Sequence, residues 1–101
     1  MANTFKSYQS TAVTSETTVL TGPSNTQTTV IGMSIANTSE SACNVDVKLN
    51  TAYIVKGAPI PVGGSLVIVG GDQKVVVEAS DTIKVTSTAS VDVITSTLEI
   101  N

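Results

Sequence analysis

The residue patterns in this chain that could do chemistry are few, and each lacks something its chemistry needs. Gly32-Met-Ser34-Ile-Ala36 has the outline of a G-x-S-x-G turn that lifts a serine nucleophile, with alanine in the last place. Such a serine needs a histidine to take its proton and a strand-to-helix turn to expose it. The sequence has no histidine, and no stretch of it carries a helical period. A lysine desolvated beside a serine could replace the histidine. With serine and threonine so abundant, a chance neighbour of that kind carries no weight. Gly70-Gly-Asp-Gln-Lys74 suggests a phosphate loop but lacks the G-x-x-x-x-G-K-[ST] spacing and the helix that would follow it. A Gly-Gly-Asp hairpin turn accounts for it better. Asp72, Glu78 and Asp81 offer oxygens of the kind hard cations take, yet no D-x-D-x-D-G loop frames them. Asn37-Thr38-Ser39 fits the glycosylation acceptor pattern, but no apolar signal segment is visible at the N-terminus.

The absences extend further. Arginine and tryptophan are missing along with histidine, and Cys43 is the single cysteine. General acid–base catalysis, metal binding and bidentate anion recognition rest mostly on the missing types. The expectation is a protein that is not an enzyme, with no catalytic, metal or cofactor-binding residues. The five lysines, Lys6, Lys48, Lys56, Lys74 and Lys84, are scattered, the net charge is −3, and Phe5, Tyr8 and Tyr53 are the only aromatics. A nucleic-acid surface needs clustered positive charge and stacking platforms, so none is expected. No run approaches the roughly 20 apolar residues of a membrane span. Cys43 shares its alternation phase with Val45, Val47 and Leu49, which makes it a buried hydrophobe without an internal disulfide partner. Synthesis in a reducing cytosol fits these facts.

The elements that would position any site are strands. Valine and threonine dominate short alternating runs broken by turn residues, the pattern of pleated, half-buried sheet. Strands are expected at 17–21, 26–36, 43–49, 52–55, 65–69, 75–79, 81–86 and 91–100, with turns at Gly22-Pro-Ser-Asn25 and Asn50-Thr51. The segment Gly57-Ala-Pro-Ile-Pro-Val-Gly-Gly64 holds two prolines and reads as an extended edge or a loop crossing. Residues 1–15 are polar and read as an N-terminal arm with Phe5 and Tyr8 as anchors, leaving residues 16–101 as the domain. The fold class is all-β, a small antiparallel sandwich or barrel of about seven to eight strands. Area scaling predicts a folded surface of roughly 5,400 Å² and one modest core.

One feature does not fit a self-contained sandwich. Positions 66–69 and 75–77 are apolar in succession, although successive side chains point to opposite faces. A domain this small has a core for only one face of each sheet. If Val75 and Val77 face that core, Val76 must find a partner, and Phe5, Tyr8 and Val76 become the expected interface residues.

Three stretches of strand and turn text carry a resemblance. They are Val30-Ile-Gly-Met-Ser-Ile-Ala-Asn-Thr38, Val45-Asp-Val-Lys48, and Tyr53-Ile-Val-Lys-Gly-Ala-Pro-Ile-Pro-Val-Gly-Gly-Ser-Leu66. With Asp81-Thr-Ile-Lys-Val-Thr-Ser87, Ser90-Val-Asp-Val93 and Leu98-Glu-Ile100, they resemble small virion structural proteins of tailed phages, cyanophages in particular. The resemblance covers roughly residues 28–100 and carries no functional residues over. It implies a structural protein of the particle, a capsid cement or decoration protein that binds the major capsid protein as a homo-oligomer. Neck, tail or fibre-associated parts compete with that reading. A carbohydrate-binding adhesion module ranks lower, because Tyr53 is the only aromatic platform outside the first residues.

Overall fold

β-Branched residues pack well on a pleated surface, and here they build nine strands among the residues described by the computed structural model, 3–70 and 74–101. In chain order these are β1 (Asn3–Val13), β2 (Thr17–Thr21), β3 (Gln27–Asn37), β4 (Cys43–Leu49), β5 (Ala52–Ile60), β6 (Ser65–Val69), β7 (Val75–Val77), β8 (Thr82–Ser87) and β9 (Val91–Ile100). Every pairing is antiparallel. Sheet I runs β1-β9-β3-β6, with β7 also on β3, and sheet II runs β2-β8-β4-β5. Two sheets face each other as a sandwich. Val30, Ile35, Val69 and Val93 from sheet I meet Val45, Val47, Ile83 and Val85 from sheet II in a fully buried core. The accessible surface, 5482 Å², matches the scaling value. Cys43 is buried in that core.

Residues 3–13 correct the expectation of an arm. They form β1, paired with β9 in continuous register from Asn3 against Ile100 to Ser10 against Val93. Its early residues are exposed apart from a half-buried Tyr8. β1 therefore has no apolar alternation to betray it, and its pairing with β9 rests chiefly on backbone hydrogen bonds. The register slips between Ser10 and Val13, where Ala12 takes a φ of 53° and its N–H donates to the Asp92 carboxylate at 3.0 Å. Val13 then enters the core.

The proline segment is an edge strand for part of its length. β5 continues through Pro59 to Ile60 at the margin of sheet II, where a missing N–H can point away from the ladder. Gly57, with φ 66°, allows the irregular pairing there, and its N–H donates to Asp46 at 2.7 Å. The expected hairpin at Gly70–Lys74 lies mostly outside the described residues. The strands that flank it, β6 and β7, both run antiparallel to β3.

Asn37 closes one end of the sandwich. Its side-chain amide is buried and donates to the carbonyls of Ser41 (2.8 Å) and Ile60 (3.1 Å). Its Oδ1 accepts from the Ser39 N–H (2.9 Å) and hydroxyl (2.6 Å). Both ends of the amide are engaged, which ties the β3–β4 loop to the end of β5. Asn37→Ala leaves buried carbonyls unpaired and is expected to cost about 2–3 kcal/mol in urea-induced unfolding. Asn37→Asp should recover little, because a carboxylate cannot donate to either carbonyl.

Candidate functional site

Cross-strand partners share a face, so the registers of sheet I can be read as rows. One row crosses Phe5, Leu98, Thr29 and Val76 on β1, β9, β3 and β7. A second crosses Gln9, Ile94, Ser34 and Val67. Between them lies Ser7, Ser96 and Gly32. All three rows point away from the core. Phe5 is 73% exposed, Val67 66%, Val76 62% and Ile94 49%, so this outer face displays most of the large exposed hydrophobics of the described residues. Among the strand positions of these rows and their neighbours on the face, Asp92 alone is charged, and it is engaged by the Ala12 N–H.

The outer face of sheet II is the opposite in character. Lys48 lies opposite Lys84 in register, and Glu16 answers both, at 2.8 and 4.0 Å. The hydrogen bond from Lys48 holds the Glu16 carboxyl below its ordinary range and raises the Lys48 ammonium in turn. Tyr53 carries the ammonium of Lys56 4.7 Å from its ring centre. That face neutralises its own charges and stays wetted.

The inner face of β1 and β9 holds polar groups where a core would be expected. Thr95, Thr97, Glu99 and the neighbouring Thr28 are all buried. The Tyr8 hydroxyl and the Thr97 hydroxyl both donate to Glu99 Oε2, and Lys6 Nζ lies 3.8 Å from Oε1. Burial first, and then the Glu99 carboxylate, push the Tyr8 phenol up to about 12. The hydroxyls of Thr28 and Thr95 have no hydrogen-bond partner. The open clefts of the molecule, of about 390 and 550 Å³, lie around Thr26, Gln27 and Ala79 and are lined by neither Tyr8 nor Glu99. A phenol–carboxylate pair without a substrate space beside it satisfies a buried charge and does no evident chemistry.

The structure separates two of the three expected interface residues. Phe5 and Tyr8 are an odd number of positions apart on one strand, so Phe5 points outward beside Leu98 and Tyr8 inward to Glu99. Val76 points outward as the alternation required, while Val77 is fully buried. Ile94, Leu98 and Val67 join Phe5 and Val76 on the face, and sequence reasoning did not single them out. Their signal is a change of phase within β9. Val91 and Val93 fall on odd positions, whereas Ile94, Leu98 and Ile100 fall on even ones.

The other candidates are dispersed. Ser34 sits mid-strand between Ile94 and Val67 in register rather than on a turn. Asp81 accepts the Glu78 N–H and the Asn50 amide at 3.1 Å each, which closes a turn, and Asp72 lies outside the described residues. Among the described residues no three His, Cys, Asp or Glu side chains stand together as metal ligands.

The Tyr8 phenol supplies a pH test. Its folded pKa is raised to about 12, against about 10 in the unfolded chain, so its contribution to stability is complete below pH 10 and is lost as pH rises through 12. In a Tyr53→Phe background the phenolate absorbance should develop near pH 12. Tyr8→Phe should reduce the stability loss that the parent shows between pH 10 and 12, leaving the part that comes from the raised Lys48 ammonium.

Comparison with known proteins gives no relative from which a role could be carried over: no family model, no curated protein and no solved structure matches the chain.

Proposed function

We propose that this chain is a non-enzymatic structural protein of a phage particle, a cement or decoration protein that attaches to the major capsid protein and is assembled into the virion in the host cytoplasm. The observation that carries the reading is the outer face of sheet I. Phe5, Val67, Val76 and Ile94 are exposed there on a nearly uncharged surface, while Thr95, Thr97 and Glu99 occupy the inner side of β9 over its second half. Exposed apolar surface on a small monomer marks an interaction site when it is contiguous. A protein that reinforces a shell needs such a face, needs many modest contacts, and needs no catalysis. The resemblance of residues 28–100 to small virion proteins supports the same conclusion, as does the scarcity of residue types that do chemistry.

Copy number separates this from a neck, tail or fibre-associated part. Purified particles should carry the chain in hundreds of copies, whereas a ring at a unique vertex would hold about a dozen. Val76→Asp tests the face directly. Val76 is already solvent-exposed, so the variant should melt within a few degrees of the parent. Losing a buried valine contact of about 1.5 kcal/mol should weaken its retention on particles about tenfold. A variant that unfolds alone, or that binds particles as well as the parent, rejects the role of this face.

A further inference from the structure

Each sheet has two edges, and most of them are closed to a further strand. β2 is short, and its register shifts between Thr18 and Leu20. β5 carries Pro59, which has no N–H, and Gly57 at a φ of 66°, and its pairing with β4 is irregular. β6 and β7 divide one edge of β3 between two short pieces. Short strands, prolines and bulges are the means by which edges avoid pairing with other chains. β1 has none of them from Asn3 to Ser10: its register to β9 is continuous, without proline or positive φ. Alternate residues of such a strand turn both N–H and C=O away from their partner, and among the described residues no backbone group takes them up. Lys6 carries the one charge of this stretch, but Glu99 draws it back over β9, at 3.8 Å, so it does not guard the edge. We infer that this edge pairs antiparallel with the same edge of a second copy, about a two-fold axis normal to sheet I.

The sequence of β1 is complementary to itself in one register. Directly opposed residues of antiparallel strands share a face, so mates must be an even number of positions apart. Centring the pair on Lys6 would oppose two like charges, which is destabilising. Centring on Phe5 would engage only Asn3 to Ser7 among the described residues, and centring on Tyr8 would press the bulge at Ala12 against Thr4. Centring on Ser7 uses the whole regular stretch: Thr4 meets Ser10, Phe5 meets Gln9, Lys6 meets Tyr8, and Ser7 meets itself. Hydroxyls then oppose hydroxyls, and each Lys6 lies against a phenol ring of the second copy, both favourable cross-strand pairs. A closed two-fold contact of this kind uses one edge of each copy and leaves none open. The rotation turns neither sheet over, so the outer faces of both copies look the same way and stay free for the attachment proposed above. The pairing therefore goes beyond that reading and does not depend on it. An edge contact is small beside a standard interface, so it is weak in solution and is favoured where copies are held side by side.

Ser7 gives the discriminating variants. It is exposed in the single copy and faces its own mate across the axis in the dimer. Sedimentation velocity on the purified full chain should show a dimer that grows in with concentration through the high micromolar range. Ser7→Lys should weaken association at least tenfold with the parent's circular dichroism. Val76→Asp, at the far margin of sheet I, should leave association unchanged. Opposed Cα atoms of an antiparallel pair lie within disulfide reach, so copper phenanthroline in air should oxidise Ser7→Cys to linked dimers. Phe5→Cys, whose mate is Gln9, should link far more slowly, and Cys43 is buried and does not compete. A parent that stays monomeric into the millimolar range overturns the inference, as does a Ser7→Lys variant that associates like the parent. Equal cross-linking at both cysteine positions, or loss of the dimer in Val76→Asp, places the contact elsewhere and overturns it too. Dimers that bind no particle reject the proposed function and leave the edge pairing standing. A monomeric parent whose particle retention falls on Val76→Asp rejects the pairing and leaves that function standing.

Discussion

β9 is bonded along both of its edges, to β1 on one side and to β3 on the other, and β1 joins sheet I only through it. A strand held this way has no freedom to slip, because a shift of one residue would exchange its two faces. Its side chains are therefore sorted by position alone. Val91 and Val93 are driven into the core at one end, and the same parity then forces Thr95, Thr97 and Glu99 inward and Ile94, Leu98 and Ile100 outward. The usual order of apolar inside and polar outside is inverted over half of the strand. β1 supplies Tyr8 and Lys6 to accommodate the buried Glu99, so the polar interior and the apolar exterior arise from one register.

The sequence made the all-β class and the turns readable where alternation is clean and one-sided. β4 shows this best, with Cys43, Val45 and Val47 inward and Asn44, Asp46 and Lys48 outward. β1 was unreadable for the opposite reason. Its alternation is polar on both faces, and what fixes it is a ladder to a strand about 80 residues later, which no local pattern reports. Phe5 and Tyr8 look like a pair of anchors when only their proximity is considered. The odd step between them already implies opposite faces once the segment is extended. The exposed face was legible at Val76 but not at Ile94 or Leu98, because β9 reads as a single apolar strand until its change of phase is noticed.

The two outer surfaces of the sandwich differ in what they offer a partner. Sheet II spends most of its charges on one another, through Glu16, Lys48 and Lys84. Such surface pairs add little stability, but they keep that side hydrated and averse to stacking. Sheet I offers contact with no charge to choose a partner by long-range attraction. Recognition there must come from the shape of the exposed apolar side chains, Phe5, Val67, Val76 and Ile94. Specificity of that kind is insensitive to salt.

The pairing of β1 with β9 also governs when the protein can fold during synthesis. β1 leaves the ribosome first, and its only ladder partner emerges after every other strand. At about 5–20 residues per second the wait is roughly 4–16 s. Over that interval β1 has no strand to pair with, whereas β3 already has β6 and β7 beside it and the strands of sheet II are all made. Completion of sheet I is thereby tied to translation of β9. A ribosome that stalls before Val91 would release a chain with β1 unpaired and sheet I incomplete, which exposes it to proteolysis.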